Sequence, residues 1–207
     1  MRVVFIGAGN VARALAQASV RAGHQVTFAV RDLDSDSTKA AKAAVPQAAF
    51  DPVGAIALQA EADVVVLATP AYVAAEVLSS LGSLAGVTLV DATNAFQGVP
   101  DGFPTMASLV AHHAPGANIV KSFNVVGAEH MASPELPDGG RVFMPVAADD
   151  DDARSLVLEL ASDIGFDAVS AGGLDNAALL EDLARLWGVL AFGGLGRGVA
   201  FTLSRST

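Results

Sequence analysis

Apolar positions along this chain fall into short unbroken runs, separated by alanine-rich stretches that mix apolar and polar residues. Val3-Val4-Phe5-Ile6 is apolar at every position, the pattern of a strand buried on both faces. Residues 11–21 are alanine-rich and free of proline, which predicts a helix, and Gly23 is a natural stop for it. Residues 25–30 read as a second strand, 32–37 as a polar loop and 38–44 as a helix. A short third strand is expected at 48–50, then a helix at 52–60 with Pro52 in its first turn. The plainest buried strand is 63–68; Pro70 ends it and a helix over 73–84 follows. A fifth strand at 87–90 runs into Asp91, a helix covers 105–113, and a sixth strand covers 118–122. Strands alternating with helical crossovers imply parallel pairing with helices on both faces.

Beyond Ser122 the rhythm changes. Residues 129–140, with two prolines and two glycines, read as a loop, and 141–146 as a strand. The acidic run 149–152 precedes a helix at 153–164, where aspartates complement the helix dipole; it reads as a cap and not as a metal site. A short strand at 166–169 and a helix at 176–192 lead to the glycine-rich Gly193-Gly194-Leu195-Gly196-Arg197-Gly198.

The strongest chemical signal is Gly7-Ala8-Gly9-Asn10-Val11-Ala12, between the first strand and the first helix. Gly7 permits the tight turn and Gly9 lets the backbone approach a pyrophosphate. The helix N-terminus offers that anion free N–H groups and a partial positive charge. Ala12 replaces the third glycine of the usual fingerprint, a departure the pattern tolerates. The expected architecture is therefore α/β, a Rossmann-type doubly wound parallel sheet. Residues 1–124 would form the dinucleotide domain, and 125–207 a small C-terminal α/β cap completing the acceptor cleft.

The end of the second strand selects the dinucleotide. An NAD site wants an acid there, about 20 residues on from the fingerprint, to hold the ribose hydroxyls. This chain has Ala29-Val30-Arg31, and arginine takes a 2′-phosphate with a charge-assisted bond. NADP(H) is the cofactor expected, with Asp32 the alternative reader in favour of NAD. Ligands in such sheets lie beyond the carboxyl ends of the strands. Ala68-Thr69-Pro70, Asp91-Ala92-Thr93-Asn94 and Lys121-Ser122-Phe123-Asn124 all fall there. The backbone of Ala68, Thr69 and Pro70 is expected to line ribose and nicotinamide, and Asn94, Lys121 and Asn124 to orient the rings.

Composition narrows the field. Twelve basic against 22 acidic residues give 12 − 22 = −10, which disfavours nucleic acid and anionic membranes as partners. No cysteine is present, which removes disulfides, thiolate metal sites and a cysteine nucleophile, and suits a reducing cytoplasm. The four histidines show no metal-ligand spacing, so no metal is expected. The longest apolar stretch, 186–196, falls short of the roughly 20 residues a membrane span needs. The apolar, glycine-rich segment 187–201 suggests a homodimer contact.

The phosphate loop, Ala29-Val30-Arg31, Asp91-Ala92-Thr93-Asn94, and Lys121 to Met131 together resemble the F420-dependent NADP oxidoreductase family. Leu186-Trp187 and the segment from Gly194 to Phe201 resemble the tail of the same family, so the likeness runs from Val3 to about Arg205. The resemblance implies hydride exchange between NADPH and a small redox acceptor, the deazaflavin F420, or FMN or FAD as in related reductases. Direct hydride transfer between rings requires no catalytic side chain. The family usually carries Ser or Thr where this chain has Val30, and a second basic residue where it has Asp32-Leu33-Asp34. Gly9 to Leu15 is also similar to the loop of pyrroline-5-carboxylate reductases, which reduce a cyclic imine. Those enzymes carry a longer helical dimerisation region and lack the motifs at 91–94 and 121–131. A non-catalytic NADP(H) sensor on the same fold is the alternative from another class.

Overall fold

The computed structural model of the chain describes residues 1–55 and 57–205. Strand β1 (Arg2–Ile6) shows why the short apolar runs become strands. Val3 and Phe5 are buried in one hydrophobic layer, Val4 and Ile6 in the other. Helix α1 (Asn10–Arg21) follows, burying Ala12, Leu15 and Ala16, then β2 (Gln25–Val30) pairs parallel with β1. Helix α2 (Asp36–Ala44) starts two residues before the expected position, because the Ser35 side chain accepts from Thr38 N and caps it.

The stretch expected as a helix from Pro52 is different. Strand β3 (Ala49–Pro52) carries the proline as its last residue, on the sheet's edge where its missing N–H costs no ladder bond. A turn through Gly54 (φ +87°) follows, and only α3 (Leu58–Glu61) is helical; Ile56, within the expected helix, lies outside the described residues. Strand β4 (Val64–Leu67) is wholly buried. A 3-10 turn (Ala71–Val73) leads into α4 (Ala74–Ser79), shorter than expected. The Ser79 and Ser80 hydroxyls bond back to Ala75 O and Val77 O, and Gly82 turns the chain with φ +73°.

Strand β5 (Thr88–Asp91), helix α5 (Met106–His113) and β6 (Asn118–Lys121) complete the parallel part. The loop expected at 129–140 begins with one helical turn, α6 (Ala128–Met131). Strand β7 (Phe143–Ala148) begins two residues late and runs antiparallel to β6, because a loop and not a helical crossover joins them. Helix α7 (Asp151–Asp163) is capped by Asp150, with Asp151 and Asp152 in its first turn, as the acidic run implied. It leads to β8 (Asp167–Ser170), parallel to β7, and to α8 (Ala177–Leu190), which ends in a π-helical turn (Ala191–Leu195).

Among the described residues the strands form one eight-stranded sheet in the order β3-β2-β1-β4-β5-β6-β7-β8. Alternate residues of β4 feed opposite cores: Val64 and Val66 pack with α1 and α7, Val65 and Leu67 with α4 and α5. Burying each such side chain stabilises the fold by about 1.5–3 kcal/mol. The tail after α8 is strapped to the body. Trp187 Nε1 donates to Val199 O at 2.7 Å, His130 Nε2 to Gly198 O at 2.7 Å, and Phe143 N to Phe201 O at 2.9 Å. Arg197 pairs with Glu129 at 2.6 Å and lies over the Trp187 ring. Among the described residues no helix is long and apolar enough to cross a membrane.

Candidate functional site

Gly7 leaves β1 with φ +100°, a backbone that a side chain rarely tolerates. A Cβ there would also stand 3.2 Å from Ala68 O and from Thr69 Cγ2. Gly9 is the opposite case. Its φ is −72°, and a Cβ would have no atom nearer than Ala68 O at 4.0 Å, so the space in front of it is open. Helix α1 begins here with no side-chain cap and no acid in its first turn, whereas Ser35, Thr105 and Asp150 cap α2, α5 and α7. Its first N–H groups are therefore left for an anion.

These groups open on a cleft of about 430 Å³. Gly7, Ala8, Gly9, Ala68, Thr69 and Pro70 line one end and Arg31, Asp32, Ser35, Ser37 and Thr38 the other. Arg31 is exposed at this second end. Asp32 lines the same end and is exposed; one of its oxygens, Oδ1, accepts from Asp34 N at 2.8 Å within its own turn. Asn10 is exposed and Val11 half-buried at the start of α1, while Ala12 is fully buried under the helix. Ala12 therefore serves close helix–sheet packing, as the third small residue of the fingerprint does, and does not touch a ligand. The cleft fits a dinucleotide: a glycine whose Cβ would fill the open space, uncapped N–H groups, and a cation one strand away.

The second cluster lies at the ends of β5 and β6. Asn94 Nδ2 donates to Asn124 O at 2.7 Å, and Asn124 Nδ2 donates to Asn94 Oδ1 at 3.1 Å and Leu180 O at 3.0 Å. Phe123, with φ +53°, is a non-glycine residue in the left-handed region, and this turn aims Asn124 at Asn94. Lys121 corrects the expectation of a ring-orienting side chain. It has no solvent exposure, and its Nζ donates to Asp91 Oδ2 at 2.9 Å and Thr93 O at 2.6 Å, so it acts on the loop that carries Asn94 and does not meet a ligand itself. Asn94 and half-buried Thr69 are accessible; Asn124 is 3% exposed.

Residues 2–95 match the family described as NADP oxidoreductase coenzyme F420-dependent. A candidate F420-dependent NADP-reductase from Arthrobacter sp. FB24 is 26% identical, with a TM-score of 0.86 over 99% of this chain and 100% of that one. Over residues 2–95 the chain is similar to the F420-dependent NADP oxidoreductase family. Two further structures share the fold. An imine reductase from Streptomyces aurantiacus is 19% identical (TM-score 0.69), with the match covering 94% of this chain and 63% of that chain. A pyrroline-5-carboxylate reductase from Coxiella burnetii is 18% identical (TM-score 0.59), covering 96% and 72%.

Sequence reading of this NAD(P)-dependent oxidoreductase missed three parts of the site. Arg13, in the first turn of α1, folds its guanidinium back onto Asn10 Oδ1 and Ala8 O, over the phosphate loop. Ser35 and Ser37 join Arg31 in the cleft because α2 starts early. Glu181 comes from α8, 60 residues after Lys121, and sets its Oε1 3.5 Å from the lysine Nζ. The first two were legible as polar residues beside a phosphate site. The third needed the chain to close.

Proposed function

We propose that this oxidoreductase uses NADPH and exchanges hydride with a planar flavin-like acceptor, F420 or alternatively FMN or FAD. The observation that carries the cofactor choice is the far end of the cleft, where Arg31 stands with Ser35 and Ser37 and where one Asp32 carboxylate oxygen is engaged by Asp34 N. Arg31 would hold the 2′-phosphate, and the α1 N-terminus with Arg13 would hold the pyrophosphate. NADPH supplies the hydride when bound. Thr69 and Pro70 line the cleft beside the phosphate loop, and the hydrogen-bonded Asn94–Asn124 pair would orient the rings. The family match over residues 2–95 and the similarity to the Arthrobacter structure support F420 as acceptor.

Leu179, Leu186, Val189, Phe192 and Leu195 leave a large apolar stripe exposed along α8 and the turn beyond it, and this stripe supports a homodimer. The function is tested by following NADPH oxidation with F420, FMN, FAD and pyrroline-5-carboxylate at matched concentration. Turnover with a tricyclic acceptor and little with the imine is expected. Turnover of the imine alone would move the enzyme to the imine-reducing class, and tight NADPH binding with no turnover would make it a sensor.

A further inference from the structure

Asp91, Lys121 and Glu181 place two carboxylates against one ammonium in a nearly dry site. Asp91 and Lys121 stand side by side in the parallel register of β5 and β6, both with no solvent exposure. Asp91 is fully engaged: Oδ2 takes Lys121 Nζ, and Oδ1 takes Thr93 N at 2.9 Å and Thr93 Oγ1 at 2.6 Å. Glu181 reaches the same ammonium from α8, and its Oε1 also accepts Met106 N at 2.8 Å, at the start of α5. The groups facing it are Lys121 from β6, Asp91 from β5, the N–H groups opening α5, and Arg185 one turn along α8, itself paired with Asp182.

One positive charge cannot balance two negative ones, and water is scarce here to cover the difference. A proton on the cluster restores neutrality, and Glu181 is where it fits, because every oxygen of Asp91 is already occupied by a donor. Burial pushes the Glu181 carboxyl above its ordinary value, with Asp91 adding to the rise and Lys121 opposing it. Glu181 is 7% exposed, and it lines a small crevice with Asn94, Ala95, Phe96 and Arg185. That crevice lies beyond the carboxyl end of β5, where open α/β sheets hold their ligands. Beside it Asn124 Oδ1 is buried without a hydrogen-bond partner among the described residues, while its amide nitrogen is tied to Leu180 O, next to Glu181.

We infer that Glu181 is the proton donor to the acceptor, that Asp91 is a positioning residue whose charge keeps the proton on it, and that Lys121 is a positioning residue that holds the two carboxyl groups together; this rests on the function proposed above. Hydride would leave C4 of the nicotinamide for the central ring of the acceptor, at a carbon in F420 or the corresponding nitrogen in FMN or FAD, oxidising the nicotinamide and reducing the acceptor. The electron pair displaced onto a ring nitrogen takes the Glu181 proton: the carboxyl O–H breaks and an N–H forms. The carboxylate regains its proton from solvent through the crevice.

The test combines a titration with kinetics. In protein labelled with ¹³C at the glutamate carboxyls and free of ligand, one resonance should be missing from Glu181→Gln and should titrate above the ordinary glutamate range. Glu181→Gln should bind NADPH as the wild type does. Its kcat with F420 or FMN should fall roughly 10- to 100-fold and lose the dependence on that titration, and Glu181→Asp should recover part of the rate. A Glu181 resonance titrating at or below the ordinary range would overturn the proposal, as would a Gln variant with wild-type kcat and pH profile. Wild-type protein that reduces no tricyclic acceptor would overturn the functional reading and this proposal with it. Wild-type turnover matched by the Gln variant would overturn this proposal alone.

Discussion

Lys121 Nζ lies 2.9 Å from Asp91 Oδ2, across two neighbouring strands whose register pairs these residues, and neither side chain touches solvent. The cation also faces the protonated Glu181, so removing it strands the Asp91 carboxylate in the interior. Lys121→Met should destabilise the protein by about 3–5 kcal/mol, the cost of leaving buried charge uncompensated. Urea unfolding followed by circular dichroism measures this. Adding Glu181→Gln to that variant should return little of the loss, since the carboxyl it replaces is already neutral, and a loss under about 1 kcal/mol for Lys121→Met would mean the cluster is not held by its charge.

Two buried groups give stability opposite pH dependences. The folded-state value of Glu181 is raised, so between the ordinary glutamate value and the raised one the folded chain binds more protons than the unfolded chain, and stability falls as pH rises. Glu181→Gln should therefore gain on the wild type progressively as pH climbs through that window. His24 is lowered, chiefly by burial and secondarily by the N-terminal ammonium 3.1 Å from its Nδ1. Here the unfolded chain takes the proton first, so stability is present above about pH 6.5 and is lost as pH drops toward the folded value. His24→Gln should flatten the acid side of a melting-temperature profile between about pH 7 and 5; an unchanged profile would contradict the assignment.

Gly9 separates folding from binding. Its backbone angles suit a β-branched residue and a Cβ meets nothing closer than 4.0 Å, so Gly9→Val should fold normally. The new side chain would occupy the space a pyrophosphate needs. The variant should show wild-type circular dichroism and melting, with no NADPH binding at concentrations that saturate the wild type. Normal binding would put the phosphates elsewhere. By contrast Gly7→Val should unfold or melt early, because both φ and space are against it.

The parts of the fold legible in the sequence are those where one run of residues decides its own structure. Val3 to Ile6 and Val64 to Leu67 are apolar throughout, so burial on both faces followed directly. Gly7 and Gly9 carried their loop in the same local way. Pro52 misled because proline suits a first helical turn and an edge-strand end equally, and only the pairing of β3 with β2 distinguishes them. The helix after Pro70 ran long in the reading because alanine, valine and leucine favour it, while the serine back-bonds that end α4 depend on side-chain geometry. Lys121 read as a ring-orienting side chain at the cleft, since nothing in Asn118 to Ser122 says that Asp91 lies alongside. Glu181 lies within the expected helix at 176–192 with no local signal to single it out, and its contact with Lys121 exists only because α8 closes on the ends of β5 and β6.

The account turns on the 2′-phosphate at Arg31. Isothermal titration of the wild-type protein with NADPH and with NADH tests it most directly. NADPH should bind at least about tenfold more tightly, as a charge-assisted contact worth roughly 1.5–3 kcal/mol requires, and Arg31→Ala should bring the two affinities together by weakening NADPH alone. Equal affinities in the wild type, or tighter NADH, would contradict the account and give the ribose to Asp32.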